Sequence, residues 1–114
     1  VDDLTAAANE YDIDPYLLLT IAFYESSLQT TAIGGRGEIG LMQILGDAAQ
    51  DCDLLTQRGQ LTCGSRWLAK AYEVCGTWPR ALTMYATGEC KTKSDRVKRI
   101  IKFRISKWEE LKND

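Results

Sequence analysis

Asp14-Pro15-Tyr16-Leu17-Leu18-Leu19-Thr20-Ile21-Ala22-Phe23-Tyr24-Glu25-Ser26-Ser27 is the stretch that decides the fold. Asp14 is a helix N-cap by type, and Pro15 suits the first helical position, where its missing N–H costs nothing. From Pro15 to Tyr24 the only clearly polar residue is Thr20. A helix apolar on every side is expected to be buried on every side. A central buried helix wrapped by others is therefore the predicted architecture.

The segments on either side also have helical period, and none alternates as a strand would. Leu4–Tyr11 reads as a short amphipathic helix. Thr30–Gly40 is a glycine-rich loop, followed by Leu41-Met42-Gln43-Ile44 and a short helix around Asp47–Cys52. Leu61–Cys75 is the next helix, with Thr62 as a cap candidate. Trp78–Thr87 follows, capped by Thr77 and stopped by Gly88. Ser94–Leu111 closes the chain, with Val97, Ile100, Ile101, Ile105, Trp108 and Leu111 on its inner stripe. With no repeat and no linker, residues 1–114 are expected to form one all-α domain.

Composition narrows the chemistry. Cys52, Cys63, Cys75 and Cys90 contain no Cys-x-x-Cys pair, and the chain has no histidine. That disfavours zinc and removes Ser-His and Cys-His catalysis. Four cysteines in so short a chain point to an oxidising compartment and two disulfides. The sequence-local pairings, Cys52–Cys63 and Cys75–Cys90, are the expected ones among three. No apolar run is long enough to span a membrane. The chain opens on Val1-Asp2-Asp3 rather than on a basic segment, so an exported protein would be present here in mature or trimmed form. Residues 1–89 hold 5 basic and 12 acidic residues, and residues 90–114 hold 9 and 4, a net −7 against +5. The basic terminal helix reads as a solvated face, without the interleaved aromatics of a nucleic-acid binder.

Glu25 is the anomaly. It emerges at the end of an apolar helix, beside the core and at the negative end of the helix dipole. Both effects disfavour the ionised carboxylate, as a general acid for a glycosidic oxygen requires. By itself, a glutamate ending a helix more often just faces water. The loop of Gly34, Gly35, Gly37 and Gly40 permits close backbone approach to a ligand, although mobile turns use glycine more often. Gln43, a single amide in an apolar run, calls for a specific partner such as a sugar hydroxyl or acetamido group.

Glu25-Ser26-Ser27, then Gly40-Leu41-Met42-Gln43, then Ala81-Leu82-Thr83-Met84-Tyr85-Ala86-Thr87-Gly88 resemble the three ordered motifs of the soluble lytic transglycosylases. That family is similar in fold to goose-type lysozyme. The resemblance implies a disulfide-stapled, lysozyme-like helical domain acting on peptidoglycan glycan strands in the periplasm or outside the cell, with phage- and secretion-system-associated versions included. It implies Glu25 as acid and then base. Ser26, Ser27, Gly40 and Gln43 would line the sugar cleft, with Met42 against a ring and Tyr85 near the glutamate. Ala86 stands where the family usually has Asn, and Arg96 where a Tyr often precedes Val, so subsite preference departs from the family's.

A conventional glycosidase pairs two carboxylates across the bond. Glu38 is the candidate second one, with Asp47 and Asp51 behind it. A lytic transglycosylase needs none, because the substrate's acetamido and 6-hydroxyl groups replace it. The expected reaction cleaves the β-1,4 bond between N-acetylmuramic acid and N-acetylglucosamine and leaves a 1,6-anhydro end, with no cofactor or metal and a monomer as the default state. The alternatives are a hydrolytic muramidase on the same fold, a catalytically silent glycan-binding module and a purely structural bundle. Tyr85, Trp67 and Trp78 have a packing reading beside the sugar-binding one, and for the two tryptophans core packing is favoured.

Overall fold

The computed structural model describes residues 2–45 and 51–113. Among them are five helices: α1 (Asp2–Glu10), α2 (Pro15–Ser26), α3 (Gln57–Cys75), α4 (Trp78–Thr87) and α5 (Asp95–Asn113). The only extended pairing among the described residues is a pair of isolated antiparallel bridges, Ile33 with Ile39 and Ile39 with Ile44. The chain is all-helical, and two disulfides staple it, Cys52–Cys63 and Cys75–Cys90. No helix among the described residues is long and apolar enough to cross a membrane. Residues divide into two compact units, Val1–Arg66 and Trp67–Asp114.

In the first unit, α1 packs on α2. The start of α2 is fixed locally: Tyr16 N–H donates to Asp14 Oδ1 at 2.9 Å, and Pro15 occupies the first turn. Leu17, Leu18, Ile21 and Ala22 are fully buried and form its inner face. Thr20 is buried too, its hydroxyl satisfied by the Tyr16 carbonyl at 2.7 Å. Burial is not all-round, however. Tyr16 and Phe23, seven residues apart and so on one stripe, are 49% and 50% exposed. Apolar composition alone did not distinguish a fully enclosed helix from one with an aromatic outer stripe.

α3 begins one turn before the sequence-based start at Leu61. Its cap is Thr56, whose Oγ1 accepts from Gly59 N–H at 2.9 Å while its carbonyl accepts from Gln60 N–H at 3.0 Å. Asp53 steadies that cap, accepting from Leu55 N–H and from the Thr56 hydroxyl. Thr62 therefore sits inside the helix rather than at its cap. Most of the helix expected at Asp47–Cys52 lies outside the described residues.

In the second unit, α4 packs on α5. Thr77 Oγ1 caps α4 through Arg80 N–H at 3.4 Å, and Gly88, at φ 90°, ends it with a bond from its N–H to Met84 O at 2.7 Å. Ser94 caps α5 through Val97 N–H at 3.2 Å. Of the expected inner stripe of α5, Ile101 and Trp108 are buried, Val97, Ile100 and Ile105 are half-buried, and Leu111 is exposed. Trp78 stacks on Tyr72, ring centroids 4.1 Å apart, and meets Trp108 edge-on at 6.3 Å. Trp78 thus belongs to an aromatic packing cluster.

Candidate active site

Glu25 occupies the last turn of α2 and is half-buried. The next residue, Ser26, is buried, and its hydroxyl donates back to Ala22 O at 2.9 Å, so it completes the helix. Ser27 caps α2 in the left-handed region at φ 54°, its N–H bonded to Phe23 O at 2.8 Å. Leu28 follows at φ 63°. Two consecutive side-chain-bearing residues in this region are unfavourable, at roughly 1 kcal/mol or more each. They turn the chain away directly after Ser26, the last residue of α2. Ser27 is exposed, which leaves its hydroxyl available to a ligand.

The segment from Ala32 to Ile44 is a small closed meander. Gly34 N–H bonds Glu38 O at 2.8 Å and Gly37 N–H bonds Gly34 O at 3.0 Å, closing the glycine turn. Ile39 and Ile44 exchange two backbone bonds, at 2.9 and 3.1 Å, around the Gly40–Gln43 turn. Gln43 itself sits at φ 50°. Its amide Nε2 donates to Gly40 O at 2.8 Å and to Ala32 O at 3.3 Å, so the loop's own carbonyls are the partners of its N–H groups. Its Oε1 lies over Gly34, where an added Cβ would come within 2.6 Å of it and within 2.9 Å of the Glu38 carboxyl. Gln43 and Glu38 thus meet above one glycine.

Glu38, the candidate second carboxylate, accepts Arg36 N–H at 2.7 Å through Oε1. One of its oxygens is thereby engaged in ordering the glycine turn. Asp51 is exposed at φ 62° and Asp47 lies outside the described residues. Among the described residues no three His, Cys, Asp or Glu side chains gather where they could hold a metal.

Met42 is 0% exposed. It rests on Gly64 of α3, so closely that a Cβ there would lie 2.4 Å from Met42 Cγ. Met42 is thus buried beneath the turn and acts as its floor. Gly40 is likewise buried, and its role is to let the turn approach the side chain of Gln60. Tyr85 is half-buried on α4 in the second unit, and Ala86 beside it is exposed.

Two concavities of the first unit bear on the site. One, about 150 Å³, is lined by Leu4, Leu19, Ala22, Leu28, Leu41, Gln57 and Leu61. It brings Leu19 and Ala22 of α2, the left-handed Leu28 and Leu41 of the Gly40–Gln43 turn to a common wall, which Glu25 does not line. The other, about 320 Å³, lies at the Cys52–Cys63 disulfide between Tyr11, Asp53, Arg58 and Arg66 and contains none of the motif residues. Gln60 was missed in the sequence reading. A polar residue in the first turn of a helix gives no sign that it is 3% exposed and bonded to three separate segments.

No curated protein shows a significant match to the chain. Residues 3–101, nearly the whole length and all three motifs, match the family model described as the Transglycosylase SLT domain. The chain belongs to the transglycosylase SLT domain family.

Proposed function

We propose that this protein is a lytic transglycosylase that cleaves the β-1,4 bond between N-acetylmuramic acid and N-acetylglucosamine, with Glu25 as its acid and base. Transglycosylase-type action on peptidoglycan goes with the family. The observation that carries the finer reading is the placement of Glu25. It is half-buried, in the last turn of α2, two residues before the left-handed pair Ser27–Leu28, and Leu28 shares the wall of a concavity with Leu41 of the Gly40–Gln43 turn.

In this reading Glu25 gives its proton to the glycosidic oxygen, and the C1–O bond of the muramic acid breaks. The resulting carboxylate takes the proton of the same sugar's 6-hydroxyl, whose oxygen bonds to C1. The ring closes as the 1,6-anhydro product and Glu25 is reprotonated, with no water consumed. Ser27 and Gln43 are proposed to line the sugar cleft, with Ser26, Gly40 and Met42 supporting it from within. Tyr85 is proposed to take part in the same reaction. The commitment of a Glu38 oxygen to the glycine turn favours this reading over a hydrolase that would need Glu38 to hold water. The whole chain is proposed to work as one catalytic domain in the periplasm or outside the cell, where its two disulfides would persist.

Digestion of purified sacculi followed by mass spectrometry tests the reaction. Muropeptides one water lighter than hydrolysed ones are expected. Reducible muramic acid ends as the main product would sink the transglycosylase assignment. Glu25→Gln should keep the fold and lose essentially all lytic activity, because an amide cannot donate the proton. Activity within about tenfold of the parent would remove Glu25 as the proton shuttle.

A further inference from the structure

We propose that Gln60 is a positioning residue that sets the Gly40–Gln43 turn for glycan binding, a role resting on the reading of that turn as part of the sugar cleft. Gln60 lies in the first turn and a half of α3 and is 3% exposed. Its Oε1 accepts Leu41 N–H at 2.9 Å. Its Nε2 donates to Thr30 O at 3.1 Å and to Leu54 O at 2.9 Å. One amide thus uses both its donor hydrogens and its acceptor to join the segment after α2, the Gly40–Gln43 turn and the approach to α3.

A buried amide satisfied on all sides specifies one geometry, because any shift of the turn leaves a desolvated donor or acceptor without a partner. The fit is tight as well as polar. A Cβ on Gly40 would fall 2.4 Å from the Gln60 amide carbon, and Gly40 holds φ 80°, so the turn lies directly on the side chain. One turn further along α3, Gly64 receives Met42. The same helix therefore fixes the turn twice, by hydrogen bond at Leu41 and by packing at Met42. Leu41 is also the residue through which the turn reaches the wall it shares with Ala22 and Leu28. Gln60 touches no substrate in this account; it acts by where it places the turn.

The test uses Gln60→Met, nearly the same length without the amide, read by amide hydrogen exchange and by kinetics on soluble glycan strands. Leu41 N–H should exchange at least tenfold faster while α4 and α5 amides are unchanged. KM should rise about tenfold with kcat within threefold, a split that a general loss of stability would not give. Leu41 protection or KM within twofold of the parent would overturn the proposal. Should Gln60→Met fail to fold, the parent protein decides: a Leu41 amide exchanging as fast as the exposed Gly35 amide refutes the anchor, and a protected one supports it. A parent protein that does not cut the strands would refute the lytic reading. The Leu41 exchange and the strand affinity, measured in place of KM, would still read the role of Gln60.

Discussion

Gly64→Ala sets two effects against each other. In a helix interior, alanine ordinarily stabilises over glycine by about 1 kcal/mol. Here the new Cβ would lie 2.4 Å from Met42 Cγ and 2.7 Å from Met42 Cβ. The nearest atoms are the root of the side chain rather than its flexible end, and Met42 is 0% exposed, so a rotamer change cannot relieve the clash. The turn or α3 must move, and such overpacking costs typically ~1–3 kcal/mol. A net loss of about 1 kcal/mol is expected, with a larger relative loss of lytic activity because the Gly40–Gln43 turn is displaced. Urea unfolding followed by circular dichroism measures the stability term. Met42→Ala should cost ~2–5 kcal/mol alone and about 1 kcal/mol less in the Gly64→Ala background, the mark of a direct contact. A Gly64→Ala protein as stable as the parent, with no coupling to Met42→Ala, would refute the packing argument.

Glu38→Gln should retain lytic activity within about tenfold of the parent under the proposal that Glu25 carries the proton transfers; a loss as deep as that of Glu25→Gln, measured by clearing of sacculi, would make Glu38 catalytic. Thr56→Ala removes the cap of α3 and should lower stability by about 1 kcal/mol in a denaturant titration, because Gly59 N–H loses its acceptor. Replacing Cys75 and Cys90 together by alanine opens a bridge of sequence separation 15 and should cost about 3 kcal/mol in the chain-entropy model. Thermal unfolding should show a loss of the same size when the remaining Cys75–Cys90 bridge of a protein lacking Cys52 and Cys63 is reduced, and no change would show that the bridge constrains nothing in the unfolded chain.

Features governed by neighbours in sequence were legible before the structure. Asp14-Pro15, Thr77 and Gly88 fix helix ends through bonds spanning two to four residues, and each stands where its type placed it. The local disulfide pairings followed the same logic. The start of α3 was misplaced because Gln57-Arg58-Gly59 carries no apolar period, and the capping Thr56 looks like any loop threonine. The burial of Met42 and the bonds of Gln60 were not legible, for a different reason. Their environment is set by residues far along the chain, Gly64 for one and Thr30 and Leu41 for the other. The same holds for the Nε2 of Gln43, which donates to the Ala32 and Gly40 carbonyls. The motif letters marked the family without saying which of their residues are buried and which are exposed.

The bonds of Gln60 also bear on the order in which the molecule assembles. They close spans of 30, 19 and 6 residues, whereas the meander bonds from Ala32 to Ile44 close short ones. Long closures are entropically costly and form late unless they belong to the nucleus. A chain emerging from the ribosome would carry α1, α2 and the glycine turn before α3 could fasten them. Lytic competence would then arrive only after residues 57–64 dock, so the fragment that already bears Glu25 stays inert during synthesis. Pulse-labelled exchange during refolding, with Leu41 gaining protection together with α3 rather than with α2, is the expected signature.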